Sequence, residues 1–208
     1  MRLLKDILYK LDLSQLKGNV NCAISQVCFD SRQVQKGALF VAVKGTITNG
    51  HAFISQAIDR GAVAIVFDEE PKNIQEDIVY VHVRDTSSAL GLIASNFYDN
   101  PSEKLKLIGV TGTNGKTTVA SLLYKLFMAL GHKSGLISTV EYKIGEISME
   151  ASHTTPDALS INSLLANMWD EGCTYCFMEV SSHAIDQGRI HGLDFDLALF
   201  TNISRDHL

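Results

Sequence analysis

The chain has 208 residues, a formal net charge of -5, 46% hydrophobic residues and 20% charged residues. This length suits one large or two small domains, and this balance excludes bulk disorder. A mildly acidic chain with no run of basic residues argues against a nucleic-acid binder.

The N-terminal stretch MRLLKDILYKLDL does not read as a signal peptide. Asp6 and Lys10 interrupt its apolar run, and no small-residue cleavage site follows. No segment reaches the roughly 18 to 20 apolar residues of a membrane span, so a cytoplasmic protein without a membrane span is expected. ISQVCFDS and ALFVAV are strand-like, rich in β-branched and apolar residues. GHAFISQAIDRGA predicts a helix with Phe53, Ile54, Ala57 and Ile58 on one face and Gly61 as its stop. AVAIVF and IVYVHV are short buried strands. TSSALGLIASNFYDN predicts a helix capped by Thr86 or Ser87, with Leu90, Ile93, Ala94 and Phe97 as its stripe. The polar, proline-bearing YDNPSEK, residues 98 to 104, predicts a domain boundary. Residues 1–102 form the first expected domain and residues 103–208 the second.

The second domain opens with a strand at 105–110. Its first helix carries Val119, Leu122, Leu123, Leu126, Phe127 and Leu130 at helical spacing and stops at Gly131. SGLIST is a strand, and VEYKIGEISME a hairpin turning near Gly145. TTPDALSINSLLANMWDEG is a helix with Thr155 as its cap, Pro156 in the first turn and Gly172 at its end. TYCFMEV and LALFTNI are two further buried strands. Four cysteines are present, and CTYC, inside an apolar strand, reads as buried thiols rather than a metal or redox pair. The fold class is α/β: a small N-terminal α/β unit, then the first part of a parallel sheet with helices on its faces.

Four segments are candidates to carry chemistry. TGTNGKTT stands between a strand and an amphipathic helix. The strict phosphate-loop pattern fails because Val110 occupies its first glycine position, but Gly109 and Gly112 are close by. Gly112 and Gly115 let the backbone approach phosphate, and the helix N-terminus adds N–H donors. Lys116 is placed to reach the β- and γ-phosphates, and the Thr117 hydroxyl to ligate Mg²⁺. In MEVSSHAIDQGRI, Glu179 ends a buried strand, where ligands meet open α/β sheets, and a carboxylate there can hold Mg²⁺. In TNISRDHL, Asp206 and His207 follow another strand. HTTPD at 153–157 opens a helix, suited either to an anionic ligand or to simple capping.

Taken together, TGTNGKTT, MEVSSH and TNISRDHL resemble the Mur ligase family, in this order and rough spacing. The first domain, from FDSRQVQKGALFVAVKGTITNGHAF onward, is similar to the UDP-binding domain of the type that adds the third stem-peptide residue of peptidoglycan. The resemblance spans essentially the whole chain. It implies an ATP- and Mg²⁺-dependent amide ligase that joins meso-diaminopimelate or L-lysine to UDP-N-acetylmuramoyl-L-alanyl-D-glutamate through an acyl phosphate. It implies that Gly112, Thr113, Asn114, Gly115, Lys116, Thr117 and Thr118 cradle ATP. Thr117 and Glu179 then hold a first Mg²⁺, with His207 at a second. Lys116, Glu179 and His207 are the catalytic candidates. Phe29, Ser31, Thr46, Ile47 and Thr48 fall where the family binds uridine. His153, Thr154, Thr155, Ser181, Gln187 and Arg189 fall where it binds the muramoyl-peptide.

There are departures. Phe29 stands where Leu is common, and His153 where an Asn contact is often found. The family's carbamylated lysine and amino-acid-recognising domain have no counterpart in the 208 residues. The chain is therefore expected to be the N-terminal part of a three-domain ligase, inactive by itself. Two other readings stay open: a related ligase of the same pathway or of folylpolyglutamate type, and a non-catalytic UDP-sugar-binding module. For the first domain, the residues alone suggest a polar pocket at two strand ends. Ser31 has its hydroxyl free, Gly45 and Gly50 bracket a turn that exposes backbone N–H groups, and Phe29 covers a uracil face.

Overall fold

A computed structural model describes residues 1–45, 48–151 and 153–204. The chain divides into two compact units, Met1–Phe97 and Tyr98–Leu208.

The first unit runs β1 (Arg2–Leu3), α1 (Leu4–Ile7), β2 (Leu13–Lys17), β3 (Ala23–Ile24), β4 (Gln26–Cys28), β5 (Ala38–Val41), α2 (Ile54–Asp59), β6 (Ala62–Phe67), β7 (Val79–Val83) and α3 (Thr86–Phe97). Five strands form one sheet in the order β2-β7-β6-β5-β4. β4 to β7 are parallel, and β2 runs antiparallel to β7. Strands of a covered parallel sheet bury both faces, so β5 and β6 read as unbroken apolar runs. Phe40, Ile65, Ile54 and Ala57 pack in one core cluster.

Two details differ from expectation. The helix expected from Gly50 begins as a 3-10 turn over Gly50–Phe53, where the Asn49 side chain accepts from His51 N–H. A 3-10 turn has about three residues per turn rather than 3.6, so Phe53 falls off the apolar stripe and is 40% exposed. The cap of α3 is Asp85, not Thr86 or Ser87. Its two carboxylate oxygens accept from Ser87 and Ser88 N–H at 3.1 and 3.0 Å, and a carboxylate also complements the positive helix end. Thr86 is buried and donates its N–H and hydroxyl to Asp68.

The second unit runs β8 (Lys106–Thr111), α4 (Lys116–Ala129), β9 (Ser134–Ile137), β10 (Glu141–Ile144), β11 (Ile147–Glu150), α5 (Ala158–Asp170), β12 (Tyr175–Glu179), α6 (Ser182–Asp186) and β13 (Leu197–Phe200). The sheet order is β11-β10-β9-β12-β8-β13. β9, β12, β8 and β13 are parallel. β10 and β11 form the expected hairpin, with Gly145 at its turn in the left-handed region. The parallel order places the C-terminal ends of β9, β12 and β8 side by side.

On α4 only one face of the apolar pattern is inside. Ala120 and Tyr124 are buried, and Val119, Leu123 and Phe127 pack against the sheet. Leu122, Leu126 and Leu130 are 60%, 52% and 64% exposed. Each lies one residue, about 100°, round the helix from that face. The cap of α5 is Asp157, whose carboxylate accepts from Ser160 N–H at 3.0 Å. The Thr155 hydroxyl, expected there, is used elsewhere. β13 is not buried: Leu197 and Phe200 are exposed, because the strand pairs with β8 on one edge and among the described residues with nothing on the other.

Cys28, Cys173 and Cys176 are buried and all four cysteines are free thiols. Burial pushes the Cys28 thiol up to about 12 and raises the Cys176 thiol further. The thiolate is the reactive form. Titration of the folded chain with a disulfide reagent near pH 8 is therefore expected to modify Cys22 alone at an appreciable rate, and all four cysteines only after denaturation. Rapid native modification of a second thiol would contradict this packing. Among the described residues, no helix is long and apolar enough to cross a membrane.

Candidate functional site

The apolar strand β8 ends at Thr111, and the chain turns sharply at Gly112, with φ +130. A Cβ there would sit 2.2 Å from Thr201 Oγ1 and 2.8 Å from the Asn202 carbonyl oxygen, so only glycine fits. Gly109, one residue before the strict motif position, is a packing glycine instead: its Cα faces the Phe195 ring.

The loop is held from the end of β13. Thr113 N–H donates to the Asn202 carbonyl at 2.9 Å, and Asn114 N–H to Asn202 Oδ1 at 3.1 Å. Asn202 Nδ2 and Thr201 Oγ1 both donate to the Asn114 carbonyl. The amides of Thr113 and Asn114 are thus engaged within the chain. The orphan donors are those of the first turn of α4, at Lys116, Thr117 and Thr118, since its N-cap Gly115 supplies no side-chain acceptor. They carry the positive end of a helix of 14 residues. Lys116 Nζ donates to the carbonyls of Gly112 at 2.7 Å and Thr113 at 3.0 Å. Lysine has three N–H donors, which leaves one for a phosphate oxygen.

Glu179 ends β12 beside Val110 of β8 and is fully buried. Its carboxylate accepts from Thr117 Oγ1 at 3.0 Å, from Thr139 N–H at 2.8 Å and from Thr139 Oγ1 at 3.2 Å. No ion pair among the described residues involves it. A buried carboxylate held only by neutral donors is costly, and a divalent cation would offset that cost. The donor set suits one. Hard cations take oxygen ligands, and neighbouring oxygens about 2.05 Å from Mg²⁺ in an octahedron lie roughly 2.9 Å apart, close to the observed Thr117–Glu179 separation of 3.0 Å. His207 and Asp206 lie outside the described residues.

The same cleft, of ≈ 880 Å³, is lined by Lys116, Thr117, Thr139, His153, Thr154, Thr155, Glu179, Ser181 and Arg189. Thr155 is a buried link rather than a helix cap. Its hydroxyl donates to the Glu179 carbonyl at 2.9 Å and accepts from Ser181 N–H at 3.1 Å. Arg189 Nη1 donates to the Thr155 carbonyl at 2.7 Å, while Nε and Nη2 donate to Gln187 Oε1 at 3.0 and 2.6 Å. Gln187 thus holds Arg189 instead of lining the cleft. His153 is exposed, and its backbone is fixed by the Tyr142 hydroxyl.

In the first unit, the segments after β4 and β5 leave neighbouring parallel strands, as expected. Phe29 is 40% exposed. Ser31 is buried, and its hydroxyl is not free: it donates to Gln56 Oε1 at 2.7 Å. The amides of Gly45 and Gly50 are also used, by the Thr48 and Val43 carbonyls. Lys44 and Asn49 close the turn by an antiparallel bridge, and both donate to Glu69, which holds that carboxyl below its usual range. Thr48 is exposed at this turn; Thr46 and Ile47 lie outside the described residues.

Three residues here went unassigned in the sequence. Gln56 sits on a helix with no local signal of its partner. Asn202 lies inside TNISRDHL, but its hold on the loop spans 88 residues. Thr139 follows an ordinary strand, and only the parallel pairing of β9 with β12 brings it to Glu179.

A strand–loop–helix whose helix N-terminus has no partner among the described residues, beside a buried strand-end carboxylate, defines a phosphate-loop α/β protein. The chain belongs to the Mur ligase family. The profile "Mur ligase middle domain" matches residues 110–208, and "Mur ligase family, catalytic domain" matches residues 23–98. It is 54% identical over 206 residues to UDP-N-acetylmuramoyl-L-alanyl-D-glutamate--2,6-diaminopimelate ligase of Cytophaga hutchinsonii, and 52% identical over 205 residues to the ligase of that name from Parabacteroides distasonis. Each alignment covers 99% of this chain, and the chain spans 42% of each relative. A solved structure of a ligase of the same name superposes with a TM-score of 0.82 at 25% identity, over 100% of this chain and 41% of that one. A MurF structure from Acinetobacter baumannii, at TM-score 0.66 and 21% identity over 99% of this chain and 41% of its own, shares the fold.

Proposed function

We propose that this chain supplies the UDP-substrate-binding and ATP-binding parts of an ATP-dependent amide ligase of peptidoglycan precursor synthesis. Its substrate is UDP-N-acetylmuramoyl-L-alanyl-D-glutamate, and the added residue is 2,6-diaminopimelate, the amino acid in the relatives' names, rather than L-lysine. One observation carries the reading: the Thr117 hydroxyl and the buried Glu179 carboxylate meet 3.0 Å apart at a helix N-terminus, in the cleft that Arg189, Thr155 and Ser181 also line.

The residues divide the work. The first-turn amides of α4 and Lys116 hold the β- and γ-phosphates of ATP. Thr117 and Glu179 hold Mg²⁺, with His207 toward a second ion, and the metal supplies charge neutralisation on the transferred phosphoryl group. Arg189 takes a carboxylate or phosphate of the muramoyl-peptide by two N–H bonds. Thr154, Thr155 and Ser181 orient that substrate so its free carboxylate faces the γ-phosphate. The carboxylate oxygen attacks phosphorus and ADP leaves. The amine of the amino acid then attacks the acyl carbon, releasing phosphate and a proton. In the first unit, Phe29, Ser31 and the turn carrying Thr46, Ile47 and Thr48 hold the uridine part.

The test is ADP release by the whole protein with ATP, Mg²⁺ and the UDP-muramoyl-dipeptide, with diaminopimelate and lysine in separate arms. Release is expected only with all components, and faster with diaminopimelate. Release that ignores the UDP-dipeptide would refute the assignment. Ser31→Ala removes a hydroxyl oxygen that can still accept while it donates to Gln56 Oε1, and is expected to weaken binding of the UDP-dipeptide about fivefold, the worth of one neutral hydrogen bond, in a calorimetric titration. An unchanged affinity removes Ser31 from the uridine site.

A further inference from the structure

Glu179 ends β12, but two of its three hydrogen bonds come from one residue on another strand end. Thr139 N–H donates to Oε1 at 2.8 Å, and Thr139 Oγ1 donates to Oε2 at 3.2 Å. One residue therefore grips both carboxylate oxygens. That grip is itself braced. Ser138, fully buried, donates its hydroxyl to the Glu141 carbonyl and accepts from the N–H groups of Val140 and Glu141. The turn after β9 is thus closed around Ser138, and Thr139 projects from it into the cleft.

We propose that Thr139 is a positioning residue for the cation site. It fixes the rotation of the Glu179 carboxylate so that Oε1 is occupied by a backbone donor and Oε2 faces Thr117. This rests on the reading of Thr117 and Glu179 as Mg²⁺ ligands and deepens it. The contact from Thr117 cannot do this work alone. It reaches Oε2 only and leaves Oε1 without a donor, so it does not by itself fix the rotation of the carboxylate. The two bonds from Thr139 reach both oxygens. Holding a ligand in place before the metal arrives spares the ordering cost of binding.

Thr139→Val keeps the β-branched shape and the backbone N–H but deletes the hydroxyl, and Thr139→Ser restores it. The experiment is titration of a fluorescent ATP analogue into the whole protein, once with saturating Mg²⁺ and once with EDTA. The wild type is expected to bind more tightly with Mg²⁺. Thr139→Val is expected to keep its EDTA affinity within about twofold while losing about tenfold of the Mg²⁺ enhancement, as for one hydrogen bond to a charged group. Thr139→Ser is expected to recover most of it. Thr139→Ala repeats the test should the valine variant fail to fold. A merely structural Thr139 would lower the melting temperature but leave the ratio of the two affinities unchanged, and that result overturns the proposal. Equal loss in both titrations also overturns it. A wild type with no Mg²⁺ enhancement would instead refute the metal reading of Glu179 itself.

Discussion

Lys116→Ala in the whole protein is expected to lower kcat at least about a hundredfold while leaving the affinity for the UDP-muramoyl-dipeptide within about twofold. Charge builds on the transferred phosphoryl group as the bond to ADP breaks, and a fixed donor there is worth on the order of 3 kcal/mol or more. Lys116 stands on the first residue of α4, with Nζ 2.7 Å from the Gly112 carbonyl, so the loop already holds the side chain close to where phosphate would sit. Alanine is a good helix former, and the loop keeps its bonds to Thr201, Asn202 and Ser204 through Thr113 and Asn114. The fold at this point should therefore survive. The residues proposed to hold uridine belong to the other unit, which is why binding of that ligand is expected to persist. Steady-state ADP release and calorimetry on the same preparation check both halves. Wild-type turnover in the variant would mean that the loop does not act on ATP.

Glu179→Gln is expected to produce an enzyme that is folded, at least as heat-stable as the wild type, and at least about a hundredfold less active. The two effects have opposite signs for one reason. Glu179 is fully buried, and the described ion pairs give it no cationic partner. Removing a buried charge relieves its desolvation. Glutamine still accepts from Thr139 N–H through Oε1, and its amide group donates to a threonine hydroxyl oxygen, since hydroxyls both donate and accept. What glutamine lacks is the negative charge that holds a divalent cation beside Thr117. Loss of a metal ligand at a phosphoryl-transfer centre removes transition-state stabilisation of several kcal/mol. Thermal melting, kcat, and nucleotide binding with Mg²⁺ or EDTA decide the matter. A variant that melts much lower would make the carboxylate a structural group, and one with full turnover would exclude it from the metal site.

Much of the second unit was legible before its structure. β8, the GKTT turn and the amphipathic α4 are local features: an apolar run, two left-handed glycines and a helical repeat fall within about 25 consecutive residues. The family resemblance rests on those same short motifs, and the relatives' identity over the whole chain agrees with it. Local reading failed where two residues competed for one role. Thr155 and Asp157 both precede α5, and both are good caps. The choice went to Asp157 because the Thr155 hydroxyl is drawn to the Glu179 carbonyl 24 residues away. Likewise the apolar residues of α4 were all candidates for the core, but a helix on a sheet buries only one stripe, and Leu122, Leu126 and Leu130 lie beside it.

By itself, the sequence determined most of the segments that become strands and helices, though not β1, α1, β2 or α6, where the backbone must bend at Gly112 and Gly115, and which side chains offer phosphate and cation chemistry. Those properties depend on neighbours a few residues apart, through dihedral preference, side-chain period and functional-group type. Only the tertiary structure decided which donors remain available and which residues meet. Asn202 occupies the amides of Thr113 and Asn114, so among the described residues the amides left for an anion are those of the first turn of α4. Thr139, Glu179 and Thr117 come from three separate strand and helix ends, and only the parallel register of β9, β12 and β8 sets both threonines within 3.2 Å of the Glu179 carboxylate. A hydrogen bond depends on distance and angle in space, and a period along the chain carries no record of which distant strand will be its neighbour.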